Sequence, residues 1–240
     1  DTKLLPKEIT IPDHQKPAMK LQNTLPMLFL LFNAIFFPRY SNIPVTGFSV
    51  YLDGRPPFLG QLVADPLDLF IEEVTESTNS FYPVGLYHPL LFQAEILQQP
   101  SNAPGFVSTE ETKLTQFNLA SQYGVTALLA HNYLMGKNFF KIKQGDILTL
   151  IYGDKTVLEY RVEEIRRYQA LSPSSPYSKF IDLADPNQSV ITATDLFYEI
   201  YTQKGTLVLQ TCIEKDGELS WGRLFIIAVP VESNGNPAVQ

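Results

Sequence analysis

Thr206-Leu207-Val208-Leu209-Gln210-Thr211-Cys212 and, beyond a loop carrying Asp216-Gly217, Arg223-Leu224-Phe225-Ile226-Ile227-Ala228-Val229 read as two β-strands. Side chains alternate along a strand, so Leu207, Leu209 and Thr211 share one face while Val208, Gln210 and Cys212 share the other. Arg223 lies on the face of Phe225, Ile227 and Val229. In an antiparallel hairpin the end of the first strand meets the start of the second, which makes Cys212 and Arg223 neighbours. Charged Glu214, Lys215 and Asp216 follow the cysteine, so the thiol is expected at a mouth of the fold rather than in mid-core.

Working outward, 125–130 is a compact apolar run that follows Gly124 and ends at His131. His131 falls on the face of Val125, Ala127 and Leu129. Three strand ends carrying His131, Cys212 and Arg223 are thus expected to converge on one rim. The three types suit one another chemically. A free thiol titrates near pKa 8.5, and a neighbouring cation favours its thiolate. Histidine exchanges protons near neutrality, and arginine donates several hydrogen bonds to a developing oxyanion. Against this stands the ordinary behaviour of each type: a lone cysteine is commonly a small buried hydrophobe, a histidine a satisfied polar residue, and an arginine solvated.

Further strand signals lie at 147–152 and 157–165, which flank the Gly153-Asp154 turn; 136–142 is short enough for one helical turn. The segment 166–205 holds Pro173, Pro176 and Pro186, and reads as an insertion in which Thr192 or Thr194 caps a helix over 195–202 that ends near Gly205. Earlier in the chain, strands are expected at 8–11, 48–52 and 69–74. Many short strands with little helix predict a mainly β fold, a barrel or a sandwich. The division expected is a Pro-punctuated N-terminal extension, 1–42, and one domain over 43–235.

The chain has 240 residues, with 18 Lys and Arg against 25 Asp and Glu and a net charge of −7. No basic cluster offers a face to nucleic acid. Cys212 is the single cysteine, which excludes an internal disulfide and a multi-cysteine zinc site. His14, His88 and His131 are too scattered for a local metal motif. His14 is expected in solvent and His88 in a loop, while Glu163, Glu164, Arg166 and Arg167 read as an exposed charged strand end. The apolar run 25–37 is shorter than the ~20 residues that span a bilayer, and is expected to be a buried helix or strand. The chain begins at Asp1, so an anchor, if the protein carries one, is expected upstream.

The segment 207–212 resembles the TLxTC signature of sortases, with Val208 where that family usually carries threonine. Trp221-Gly222-Arg223-Leu224-Phe225-Ile226 is similar to the strand that bears the family's catalytic arginine, and Leu128-Leu129-Ala130-His131 to the strand that ends in its catalytic histidine. Phe139, Ile142, Gly145 and Asp146 match the spaced pattern after that histidine, and the order His, Cys, Arg is the family's. Ala130 stands where many sortases have glycine. The resemblance spans about 105–230, with 43–104 inferred.

It implies a closed sortase-like β-barrel with short helices and loop insertions, and a cysteine transpeptidase. Cys212, His131 and Arg223 are then catalytic, and Thr211 and Ala130 contact substrate. The implied partners are a protein bearing a C-terminal sorting motif, of LPxTG type by family default, and an amine acceptor from cell-wall peptide or a protein lysine. No cofactor is implied. Some relatives bind calcium through loop acids, but no such site is assigned in this chain. The implied location is the extracytoplasmic face of the cell membrane. Two alternatives stay open: a non-catalytic interaction domain on a decayed barrel, and a cysteine peptidase that hydrolyses the same thioester. Papain-like enzymes place Cys before His, the reverse of this order, and the SHGC-type motif of L,D-transpeptidases is absent.

Overall fold

The computed structural model describes residues 64–232 apart from Ser77, Asn79 and Pro176. The expected strands at 8–11 and 48–52, the apolar run 25–37, His14 and the extension 1–42 lie outside the described residues.

Ten strands are described: β1 (Pro83–His88), β2 (Phe92–Gln98), β3 (Lys113–Gln116), β4 (Thr126–Leu129), β5 (Ile147–Tyr152), β6 (Val157–Ala170), β7 (Lys179–Asp182), β8 (Val190–Thr192), β9 (Leu207–Lys215) and β10 (Glu218–Pro230). They run in the order β10-β9-β4-β3-β2-β1-β5-β6, and β6 pairs back onto β10. Eight strands therefore close into a mixed barrel, with β7 and β8 continuing from β6 as an outer flap. Closure leaves those eight without a free edge. The β4–β9 and β2–β3 pairings are parallel, and the others are antiparallel.

Alternation along the strands divides the apolar residues into two layers. Leu86, Leu114, Leu128, Leu148, Leu150, Leu207, Leu209, Leu224 and Ile226 fill the barrel interior. Their sequence neighbours Ala127, Val208, Phe225 and Ile227, together with Tyr168 of β6, point outward, where Phe180 of β7 and the helix α3 (Ala193–Tyr201) cover them with Leu196, Phe197, Ile200 and Tyr201. Full burial of such a side chain contributes about 1.5–3 kcal/mol, so both faces of this wall are stabilising. The Asp216-Gly217 turn joins β9 to β10 with both residues left-handed, φ 53° and 82°, as a two-residue hairpin loop requires.

Several expectations are corrected. The segment 69–74 is helical, within α1 (Pro66–Thr75), not a strand. Asp65 caps it through a hydrogen bond accepted from the Leu67 N–H, Pro66 occupies the first turn, and Phe70 and Val74, four apart, pack together over Gly85. The segment 166–205 is not a plain insertion, because β6 runs on to Ala170 with β10 on one side and β7 on the other. Its helix begins at Ala193, and Thr192 rather than Thr194 caps it in a reciprocal box with Asp195. Glu163, Glu164, Arg166 and Arg167 lie inside β6, not at its end. Arg166 ties that strand to α3 through Glu199 and pairs with Glu164 of its own strand, each at 2.6 Å. His88 is no loop residue: it ends β1 at 5% exposure, and its Nε2 lies 3.2 Å from Asp146 Oδ2.

Candidate active site

Cys212 and Arg223 are direct partners across the β9–β10 ladder. His131 reaches them from the other side of β9. The parallel β4–β9 pairing aligns Leu128 with Leu209 and Leu129 with Gln210. It runs on past the end of β4, because the Ala130 N–H donates to the Gln210 carbonyl at 3.2 Å and Thr211 Oγ1 donates to the Ala130 carbonyl at 2.8 Å. The next residues in step are His131 and Cys212. By alternation all three side chains lie on the outward face of three adjacent strands, in the row that continues Ala127, Val208 and Phe225.

That face, rather than the barrel rim, is where the structure puts them. Cys212 is 2% exposed, Arg223 1% and His131 8%. The expected mouth position fails because β9 extends to Lys215 and β10 begins at Glu218, so neither Cys212 nor Arg223 is terminal. Neighbouring segments cover them. The Phe180 ring lies 6.0 Å from the Arg223 guanidinium carbon, within the range of a cation–π contact. Arg223 Nη1 donates to the Ser220 and Gly222 carbonyls, each at 2.9 Å. The His131 ring donates to the Val107 carbonyl and stacks on Tyr133, with centroids 5.2 Å apart and planes at 22°.

Burial pushes the Cys212 thiol up, and the Arg223 cation and a hydrogen bond from the Ser220 hydroxyl oppose that shift. Burial pulls the His131 imidazole down, and its bond to Val107 opposes it. Both directions follow from the cost of charge in a poorly solvated place. At neutral pH the resting site thus holds a thiol beside a neutral imidazole. Tyr201 of α3 hydrogen-bonds the Gln210 side chain, two residues before the thiol on the same face, so α3 forms part of the floor.

Thr211 and Ala130, expected to contact substrate, are both buried. Thr211 is 0% and Ala130 2% exposed, Ala130 belongs to the interior layer, and the Thr211 hydroxyl is engaged by the Ala130 carbonyl. They fasten β4 to β9. The turn after His131 closes against this fastening: the Leu134 and Gly136 N–H groups both donate to the His131 carbonyl at 3.0 Å. A Cβ on Gly136 would collide with Thr211 Oγ1 and come within 2.6 Å of the His131 carbonyl oxygen, so only glycine fits.

Motif reading passes over Val107, Tyr133, Phe180 and Ser220, which surround the three. Val107 and Phe180 come from distant segments, and Ser220 sits in a strand irregularity, so none leaves a local sequence signal. Tyr133, two residues after His131, is the one with a trace in the sequence. Elsewhere a cavity of about 240 Å³ lies among Tyr168, Asp182, Asp185, Ser189, Ile191 and Glu199, and contains none of the three site residues. Among the described residues no group of three or more His, Cys, Asp or Glu is placed to hold a metal ion, and no helix is long and apolar enough to cross a membrane.

No family model and no curated protein matches the chain. Among solved structures it is similar to sortase C1 from Streptococcus suis, with 16% identity and a TM-score of 0.42, covering 72% of this chain and 88% of that one. It is also similar to a lid mutant of sortase A from Corynebacterium diphtheriae, with 14% identity and a TM-score of 0.42, covering 75% of this chain and 86% of that one. Sortase C from Clostridium perfringens SM101 matches at 14% identity and a TM-score of 0.39, covering 70% and 88%. The chemistry of the site follows from its own register and burial rather than from these likenesses.

Proposed function

We propose that this chain is a cysteine transpeptidase of sortase type, with Cys212 as nucleophile, His131 as proton carrier and Arg223 as oxyanion donor. The observation that carries the reading is the shared register of Cys212 with Arg223 on β10 and with the continuation of β4 that bears His131, all facing one way. The Cys212 proton passes to His131, and the sulfur attacks the carbonyl carbon of a Thr-like residue in a sorting-type peptide. Arg223 hydrogen-bonds the resulting oxyanion. As the C–N bond breaks, imidazolium His131 gives its proton to the departing amine, which leaves a thioester on Cys212. An incoming amine loses a proton to His131 and attacks the thioester. The new amide leaves, and Cys212 recovers its proton. Water in place of the amine gives hydrolysis.

The substrate class is a protein with a C-terminal sorting motif, and the acceptor is an amine of cell-wall peptide or a protein lysine. The reaction calls for no cofactor. In this reading residues 43–235 act as one catalytic domain, with 1–42 as an extension, at the extracytoplasmic face of the cell membrane.

One observation favours a second reading. A thiol 2% exposed suits a core cysteine in a non-catalytic interaction domain, since a substrate must displace its cover before attack. Incubation with LPxTG-type peptides, followed by intact-mass measurement, separates the two. The wild type is expected to gain an acyl mass on Cys212, discharged faster by added hydroxylamine, and Cys212→Ala is expected to gain none. An adduct that persists in Cys212→Ala sinks the mechanism. A wild-type thiol that takes neither peptide nor iodoacetamide until unfolded supports the interaction domain.

A further inference from the structure

The chain turns back on itself directly after His131. The Leu134 N–H donates to the His131 carbonyl at 3.0 Å, a bond from i+3 to i that makes 131–134 a β-turn. Asn132 and Tyr133 are its central residues, and the reversal folds Tyr133 back beside the histidine. The Tyr133 ring stacks on the imidazole with centroids 5.2 Å apart and planes at 22°, an offset arrangement. Tyr133 is 50% exposed and His131 only 8%, as befits a ring with one face on the imidazole and the other in water. Two further bonds hold the turn. The Gly136 N–H donates to the same His131 carbonyl at 3.0 Å, and Asn132 Nδ2 donates to the Leu219 carbonyl at 3.0 Å. Leu219 lies in the stretch of β10 between Glu218 and Gly222 where the ladder to β9 shifts register. The turn that carries Tyr133 is therefore fastened to the strand that carries Arg223.

Resting on the cysteine-nucleophile reading above, we propose that Tyr133 is a positioning residue that lies on the outer face of His131, fixes the plane of the imidazole beside Cys212 and keeps water from that face. Each proton that His131 takes or gives moves along the plane of the ring, at a nitrogen. The imidazole must therefore keep one orientation while it serves the thiol, the departing amine and the incoming amine in turn. A histidine at the start of a turn rotates about two side-chain torsions, and a flat aromatic neighbour on a fastened backbone leaves it few of those rotations. The stacking uses the face of the Tyr133 ring and not its hydroxyl. Burial holds the imidazole below its ordinary proton affinity, and Tyr133 supplies the part of the cover that meets solvent. The titratable and charged side chains in step with His131 on the neighbouring strands are Cys212 of β9 and Arg223 of β10.

The test compares wild type with Tyr133→Phe, Tyr133→Leu and Tyr133→Ala by turnover of an LPxTG-type peptide with hydroxylamine against pH, and by thermal melting. In Tyr133→Ala the imidazolium is better hydrated, so the acid limb of kcat/KM is expected to move up by about 0.5–1 pH unit. kcat is expected to fall about tenfold while KM stays near wild type. Tyr133→Leu keeps apolar bulk for packing but has no flat face, and shifts both readouts in the same direction. Tyr133→Phe keeps the ring and matches wild type in both. A purely structural tyrosine would lower the melting temperature without moving the acid limb. An acid limb that stays or falls in folded alanine and leucine variants overturns this proposal and leaves the nucleophile reading standing, as does a Tyr133→Phe shifted as far as the alanine variant. If wild-type Cys212 takes no acyl group from the peptide, the nucleophile reading fails and this proposal fails with it.

Discussion

Alternate residues of β10 have opposite duties. Arg223 faces outward with its Nη1 on two backbone carbonyls, and Leu224 is buried at 0% in the barrel interior. Arg223→Lys keeps the charge but replaces a planar fork by a single ammonium; peptide turnover is expected to fall about 100-fold. Leu224→Ala is expected to cost about 3 kcal/mol and lower the melting temperature by on the order of 10 °C, with turnover per folded molecule near wild type. Calorimetry and steady-state kinetics on the pair read the two duties separately, and equal turnover losses in both variants would contradict the division. The pH profile follows from the same burial. The reactive thiolate–imidazolium pair carries one proton, as does the resting thiol–imidazole pair. It is lost to protonation below the His131 pKa and to deprotonation above that of Cys212. His131 is shifted down from 6.5 and Cys212 up from 9.0. The kcat/KM profile is therefore expected to be a broad bell with its acid limb below the first value and its alkaline limb above the second. Both limbs falling between them would contradict the burial argument.

The elements that cover the site are fixed by short-range signals of unequal clarity. Helix α3 starts at a capping box in which Thr192 accepts from the Asp195 N–H and Asp195 accepts from the Thr192 N–H. Thr192→Ala is expected to cost about 1 kcal/mol and about 2–4 °C in melting temperature, whereas exposed Thr194→Ala leaves it unchanged; a scanning melt of both variants decides. Both threonines satisfy the sequence rule for a cap. Their difference arises because β8 ends at Thr192 with extended backbone, ψ 164°, which is what an N-cap needs. The strand expected over 69–74 fails for a related reason. Its apolar residues suit either period, and the Asp65-Pro66 start signal settles it as a helix. Fourteen-residue β6 outruns its apolar pattern because β10 and then β7 pair with its second half, and charged Arg166 and Arg167 are carried along by backbone hydrogen bonds rather than by burial.

Across the molecule, closure of the barrel turns separate strands into a site. β4 and β9 are far apart in sequence, and only their parallel pairing brings His131 level with Cys212; the antiparallel hairpin needs no such help to join Cys212 to Arg223. The two strands of the hairpin and the facing of residues 206–212 and 223–229 were legible because period-two alternation is a local fact, whereas the register shift between Glu218 and Gly222 was not. The mainly β class and the strands β4, β5, β6, β9 and β10 were legible for the same reason, whereas β7 and β8 were not, because each is too short to show an alternating pattern. Burial was not. A cysteine followed by Glu214, Lys215 and Asp216 reads as exposed until β7 lays Phe180 over the wall and the 99–110 segment brings the Val107 carbonyl to His131. Nor was the double layer visible, since a residue that faces outward from a barrel looks like a surface residue unless another element packs on it. Alternation and turn chemistry act over a few residues and are written in the chain. Solvent exclusion, proton affinity and the company a side chain keeps depend on segments distant in the chain, and are set only when the barrel closes and the flap and helix settle on its outer face.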